Sequence, residues 1–325
     1  MKGTLSISNL DSCLLWADGR LAGDTCEGAW VMRVGVGLPS TIPGCRGETL
    51  IAWARRAEAG PFTSVAELDR VVYDAYDPFV ALSAAAAVTG RIRLATNIAI
   101  APIRNTALLA RSAASLHALS GGRLTLGLAV GARQEDYEAV GAHYASRGRR
   151  FVAQMSDLRD VWEEQRIGPR LGALGAPQLM LGGSSDATFA RVARYADGYM
   201  HGGGPPRAFA RAADKARAAW LDLGRSGMPA LWGQGYFALG DAATVEAGAR
   251  YMREYYAFTG PFAEKIVEGL LTTPQAIAQF LRGYADAGCD EVALFPTTTS
   301  LDQLERLADV VAGLSSVEAP PGERP

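Results

Sequence analysis

The sequence predicts a (β/α)8 barrel on three observations. Short apolar runs alternate with helically spaced segments along most of the chain. The tally reaches eight strands, each followed by a helix, over a core of about 290 residues, a length that suits such a barrel. No Gly-x-Gly-x-x-Gly follows the first strand, which weakens the rival reading of an open, doubly wound sheet. The clearest unit is Arg91 to Arg133. Ile92–Ala99 is an apolar strand with Thr96 and Asn97 near its end. Asn105–Leu119 has helical spacing, and Ser120-Gly121-Gly122 stops it. Leu124–Val130 then resumes as a buried strand. Strands buried on both faces show no polar side, so such runs joined by a helix read as parallel βαβ.

The other elements follow in order. Arg33–Leu38 is the first strand and Glu48–Ala59 the first helix. Thr63–Glu67 is a short second strand. Pro78, with its fixed φ and no N–H to lose, suits the first position of a helix over Phe79–Thr89, with Asp77 as N-cap. After the fourth strand, Gly148–Glu164 is a long amphipathic helix. Gln178–Leu181 and Gly198–His201 are strands five and six, and Asp186–Ala196 and Arg207–Leu223 are their helices. Leu231–Leu239 is strand seven. The helix Asp241–Tyr256 follows, then a Gly260-Pro261 break and a second helix, Pro274–Ala287. Glu291–Phe295 and the helix Asp302–Leu314 complete the tally.

At 325 residues, 49% hydrophobic and 20% charged, the composition is that of an ordinary globular chain. A net charge of -2 gives no reason to expect nucleic acid or an anionic membrane as partner. Cys13, Cys26, Cys45 and Cys289 have no metal-binding spacing. No run approaches the roughly 18–20 apolar residues of a membrane span, and no signal-peptide pattern opens the chain, so a cytoplasmic location is expected. Residues 1–31 lack sustained periodicity, and Met32 stands directly before the first strand. They read as an upstream extension or loose arm, with 32–314 as the barrel domain and 315–325 as a disordered Pro-rich tail.

Ligands of parallel α/β folds sit beyond the carboxyl ends of the strands, which directs attention to the turns there. Gly182-Gly183-Ser184-Ser185 follows strand five and opens a helix. Its glycines let the backbone approach an anion, and the first-turn N–H groups point at it; a tight turn with a serine N-cap is the plain alternative. Asn97 can bond a planar heterocycle through donor and acceptor, or cap the strand end. Arg133, after Gly131-Ala132, can clamp a phosphate or carboxylate, or pair with Glu135 or Asp136 at the surface. His117 reads as packed within its helix. His143 precedes the basic run Arg147-Gly148-Arg149-Arg150. His201 precedes Gly202-Gly203-Gly204 and is the histidine expected to face a pocket. Tyr251, Tyr255, Tyr256, Phe258 and Phe262 either line a hydrophobic pocket or pack as core. With no triad and no metal pattern, a bound cofactor is expected to carry the hard chemistry.

Three segments together resemble the bacterial luciferase-like, flavin-dependent oxidoreductases, a family that includes the deazaflavin F420-dependent enzymes. They are Arg104–Gly131, with its Leu119-Ser120-Gly121-Gly122-Arg123; Asp136–Gly141 with Arg147–Arg150; and Leu179–Ser184 with Ala196-Asp197-Gly198. The resemblance covers Met32 to about Gly313 and implies a TIM barrel. It implies a phosphate near Gly182, Gly183, Ser184 and Ser185, and a flavin ring near Thr96, Asn97 and Ile98, where many members have a non-prolyl cis peptide. Gly131 and Arg133 complete the expected cofactor contacts. The family's Asp-His pair after strand two is absent, since Glu67-Leu68-Asp69-Arg70 stands there. Glu67, Asp69 and His201 are therefore the candidate acid–base groups. The leading expectation is a monooxygenase using FMN, reduced by a separate flavin reductase, with O2 and a small organic substrate. The alternatives are hydride transfer with F420, whose acidic tail could be met by Arg133, Arg147, Arg149 and Arg150, and a non-catalytic flavin-binding barrel. That last reading requires an occluded pocket with His201 and Asp69 turned outward. A homodimer is a common arrangement in the family.

Overall fold

The computed structural model describes residues 32–164 and 167–317. The expected amino-terminal arm, 1–31, and residues 318–325 of the expected tail lie outside the described residues. Eight parallel strands close into a barrel in chain order. They are β1 (Arg33–Gly37), β2 (Ser64–Glu67), β3 (Arg93–Ile100), β4 (Leu124–Ala129), β5 (Gln178–Gly182), β6 (Gly198–Met200), β7 (Ala230–Phe237) and β8 (Glu291–Pro296). β8 returns to β1 with Val34 opposite Val292, so closure removes the sheet edges. The helices are α1 (Gly47–Ala59), α2 (Pro78–Ala86), α3 (Thr106–Leu119), α4 (Gln134–Ala139), α5 (Arg147–Glu163), α6 (Asp186–Tyr195), α7 (Pro206–Asp222), α8 (Ala242–Tyr255), α9 (Phe262–Val267), α10 (Pro274–Asp286) and α11 (Leu301–Val317). The barrel read from the sequence is the barrel observed.

Strand alternation divides the side chains between two cores. Val65, Leu94, Leu126, Leu179, Leu231, Val292 and Leu294 pack outward against Trp53, Leu82, Leu109 and Phe209 of the helices. Ala66, Ala95, Met180, Met200, Trp232 and Ala293 form an inner cluster that continues upward to Tyr236, Tyr251, Tyr255 and Phe295. The interior is therefore packed rather than hollow. Gly127 on β4 shows how tightly. A Cβ there would lie 2.1 Å from the Thr96 carbonyl oxygen and 2.4 Å from the Met200 sulfur.

Several boundaries differ from the expected ones for identifiable reasons. α2 stops at Ala86 rather than Thr89. The Arg123 guanidinium binds the carbonyls of Ala86 and Thr89, and the Thr89 hydroxyl bonds back to Ala85, so the carbonyls of the last turn find partners without further helix. His201 lies one residue past β6, although its N–H still donates to Trp232. The short helices α4 and α9 are too brief to show a period. α11 runs three residues further than expected, to Val317. Among the described residues, no helix is long and apolar enough to cross a membrane.

Candidate active site at the carboxyl ends of the strands

The end of β3 is anchored from several sides. The Thr96 hydroxyl donates to the Gly127 carbonyl at 2.8 Å and accepts from the Gly127 N–H at 2.9 Å. The Asn97–Ile98 peptide bond is cis, and the β3–β4 register shifts between Thr96 and Ala99. Asn97 is 3% exposed, and its amide nitrogen Nδ2 has no partner within the protein. A strand-end cap would have used that amide. Leaving a buried donor unmade costs about 1–3 kcal/mol, which makes this atom conspicuous. Gln154 of α5 donates to the carbonyls of Ala101 and Arg104 and fixes the loop that leaves β3.

The turn after β5 meets this strand end. A Cβ on Gly182 would lie 2.6 Å from Ile98 Cδ1 and 3.1 Å from the Met200 carbonyl oxygen. Gly183 has φ +135°, a conformation that side-chain-bearing residues rarely adopt. Ser184 and Ser185 are exposed. Ser185 occupies the N-cap of α6 but makes no side-chain capping bond. Its hydroxyl instead lies 3.1 Å from that of Thr188. The plain reading of this turn as a serine-capped one therefore lacks its bond.

Tyr199 joins this turn to His201. Its hydroxyl donates to the Gly183 carbonyl at 2.9 Å and lies 3.0 Å from His201 Nδ1. A phenol has a single proton, so with that proton given to Gly183 the His201 Nδ1 must carry its own. Nε2 is then the lone-pair nitrogen, and it is buried without a partner. Burial of the ring beside Phe209 lowers the His201 pKa to about 4, offset in part by the Gly203 backbone, so the imidazole is neutral near pH 7.

The two candidate carboxylates differ. Glu67 is fully buried; Ser40 and the Leu68 N–H donate to its Oε1, while Oε2 has no partner. Desolvation pushes its pKa well above the usual carboxyl range, outweighing those two bonds, with Asp69 and Asp77 adding to the rise. Asp69 is committed elsewhere. It accepts from the Ile100 N–H at 2.8 Å and pairs with Arg104 at 3.1 Å, and Arg104 also holds Asp77, the N-cap of α2. Burial pushes the Asp69 carboxyl up and Arg104 pulls it back. Burial likewise opposes the Arg104 charge, but Asp69 and Asp77 outweigh it. The net shift of Asp69 is upward, and the pair ties the exits of β2 and β3 together.

The loop after β4 is clamped by two hydroxyls. Tyr137 donates to the Val130 carbonyl and Tyr144 to the Ala132 carbonyl at 2.9 Å. Gly131, at φ +71°, sits against Ile100. Arg133 is 9% exposed, not at the surface as its ion-pair reading expected. Its carbon centre lies 4.8 Å from the Tyr255 ring and 4.4 Å from the Phe258 ring. Asp136 Oδ2 is 3.8 Å away and makes no hydrogen bond, while Asp136 Oδ1 accepts from the N–H groups of Val71 and Val72. Arg70 lies 4.2 Å over Tyr73, donates to the Tyr255 carbonyl and pairs with Glu135. Of the expected aromatic cluster, Tyr251 and Tyr255 are core, Tyr256 bonds Tyr236 at 2.8 Å, and Phe258 and Phe262 are exposed.

His117 is packed and 3% exposed, while His143 is exposed and away from these contacts. Two surface depressions beside α3 and α5, lined by Arg111, Ser115, Asp157 and Ile167 among others, lie on the helical ring rather than at the strand ends. Sequence reasoning missed Ser40 and Tyr199, gave Arg70 no role, and named Asp136 only as an ion-pair partner for Arg133, not as the acceptor for the loop after β2. The Asp-Tyr of the α4 segment was a visible signal for Asp136, and for Tyr199 the period-two spacing to His201 was the available one.

Comparison with known proteins agrees with this architecture. A protein of Mycobacterium tuberculosis, itself uncharacterised, is 39% identical over 142 residues, 40% of this chain and 49% of its own length. The chain thus spans about half the length of the curated relatives it first matches. An F420-dependent secondary alcohol dehydrogenase, solved with an F420-acetone adduct, superposes with a TM-score of 0.73 at 14% identity, covering 87% of this chain and 99% of that one. The oxygenating constituent of 3,6-diketocamphane monooxygenase from Pseudomonas putida, solved with FMN, gives 0.66 at 16% identity, covering 90% and 99%. At these identities the superpositions speak for the fold. Residues 32–287 match the luciferase-like monooxygenase family, and the chain belongs to it.

Proposed function

We propose that the chain is a flavin-dependent monooxygenase that uses reduced FMN and O2 on a small organic substrate. The observation that carries this reading is the buried, unpartnered Asn97 Nδ2 at the end of β3, next to Ile98, against which the side-chain-free Gly182 of the β5 turn packs. These residues suit a flavin: a donor for a ring acceptor, and a glycine turn opening a helix for a phosphate. When bound, the cofactor supplies the redox chemistry with oxygen. The chain's own part is to bind and shield. Gly182 and Gly183 admit the anion to the first-turn N–H groups of α6, with the Ser184 and Ser185 hydroxyls alongside. Thr96 holds the β3 end in place. Tyr236, Tyr255 and Trp232 keep water from the barrel mouth. His201 Nε2 takes or returns a proton, Glu67, whose pKa burial raises, is the second candidate donor through Oε2, and Asp69 positions the β3 loop through Arg104.

F420-dependent hydride transfer is the second reading, and it is favoured by Arg147, whose buried Nε has no partner, beside the exposed Arg149. The non-catalytic reading required His201 and Asp69 to turn outward, and neither does. Anaerobic titration with reduced FMN and with F420 tests the proposal. Reduced FMN is expected to bind preferentially. Asn97→Ala is expected to weaken it about tenfold to a hundredfold with a smaller change in melting temperature, since removing an unpaired buried donor offsets the cavity left behind. Preferential F420 binding overturns the FMN assignment.

A further inference from the structure

Arg133 is a guanidinium taken almost wholly out of water without a full set of partners. Its Nε has none, and its nearest carboxylate oxygen, Asp136 Oδ2, stands 3.8 Å from Nη1, beyond hydrogen-bond reach, while Asp136 Oδ1 is held by two backbone N–H groups. The Tyr255 hydroxyl takes one of its N–H donors and the Phe258 ring lies 4.4 Å from its carbon, so what it can still offer is the remaining edge, with the unpartnered Nε. An edge of parallel N–H groups matches a carboxylate in bidentate fashion. Tyr137 and Tyr144 hold the loop so that this edge is in place before any ligand arrives.

Arg133 follows β4, the neighbour of β5, but its contacts run away from the glycine turn. It packs toward α8 and, through Asp136, toward the loop after β2. The Gly182–Ser185 turn is tied instead to β6, through Tyr199. We infer that Arg133, Tyr255 and Phe258 form a substrate subsite for a planar carboxylate, such as that of an aromatic acid, distinct from the turn assigned to the cofactor phosphate. The carboxylate would meet the Arg133 edge, and the adjoining ring would lie among the aromatic side chains of α8 and the strap that follows it. Phe258, 40% exposed in the turn before Gly260, closes the outer side. This rests on the flavin reading only in calling the ligand a substrate; the carboxylate site itself stands on Arg133.

The test is calorimetric titration of the full chain with benzoate, its neutral isostere benzamide, inorganic phosphate, FMN and F420, near neutral pH. Benzoate is expected to bind at least about tenfold more tightly than benzamide or phosphate. Arg133→Gln is expected to abolish that preference and Arg133→Lys to keep part of it, with FMN and F420 affinities within about twofold of the parent. Circular dichroism establishes that each variant folds, and Arg133→Lys carries the test should Arg133→Gln not fold. Equal binding of benzoate and benzamide overturns the subsite, as does phosphate binding as tight as benzoate. A tenfold loss of FMN or F420 affinity in Arg133→Gln reassigns the arginine to the cofactor's phosphate or acidic tail and also overturns it. Failure of both cofactors to bind the parent chain sinks the flavin reading alone, and the benzoate comparison still decides the carboxylate site.

Discussion

On the β5–β6 side of the barrel mouth the polar groups on offer are backbone N–H groups, small hydroxyls and a neutral imidazole; on the β2–β4 side they are guanidinium and carboxylate groups packed on aromatic rings. The first side gets its shape from residues that lack side-chain bulk, Gly182 and Gly183. The second gets it from long side chains pinned at several points, Arg70 and Arg133 above all. A surface made by glycine can change its ligand affinity while the fold stays intact. A surface made by buried ions carries folding energy in the same groups that would bind, because an uncompensated buried charge is expensive.

That contrast predicts different failures on the two sides. Asp136→Ala leaves two N–H groups unsatisfied and strands the buried Arg133, so it is expected to cost about 3–5 kcal/mol in urea unfolding. A loss under about 1 kcal/mol would mean that the charged side is not holding the fold. Gly182→Val pushes bulk at Ile98 and the Met200 carbonyl; FMN affinity is expected to fall about a hundredfold, close to 3 kcal/mol, with a smaller change in stability. Unchanged affinity would remove the turn from the cofactor site. Tyr199→Phe takes the donor from Gly183 and the partner from His201 Nδ1, and is expected to cost about 1–3 kcal/mol of stability together with a weaker grip on the cofactor. If only stability moves, Tyr199 is structural.

The smallest expected effect is a pH slope. The unfolded His201 takes up a proton near its ordinary pKa of 6.5, whereas the folded ring refuses one until about 4. Stability should therefore fall as pH drops through that window. Glu67 runs the other way, since its folded pKa is raised: its contribution is present below the ordinary carboxyl value and is lost as pH rises toward the folded one. His117, also lowered by burial, adds to the His201 slope. His201→Gln should flatten the acid-side loss in unfolding curves recorded from neutral pH to about pH 5. An unchanged slope would show that another group carries it.

The comparison also separates what was readable at each level. Periodicity alone made the barrel legible, because a strand enclosed on both faces must be apolar throughout and a helix on the ring must be apolar on one stripe. The same alternation located the turns after β3, β4, β5 and β6, and with them Asn97, Arg133, Gly182 and His201. Caps were readable where the chemistry is local: Asp77 accepts from the N–H groups of Phe79 and Val80 as its place before Pro78 required. The fates of Asp69 and Arg133 were not, because they depend on Arg104, Asp136 and Tyr255, which are brought to them by other elements of the fold. By itself, then, the sequence determined the strand count, the helical ring and the chain positions at which ligands can sit, since these follow from local spacing and steric permission. Only the tertiary structure decided which of those polar groups are spent on the fold and which keep an unused hydrogen-bonding atom, because burial and partner distance are properties of the closed barrel and not of any one segment.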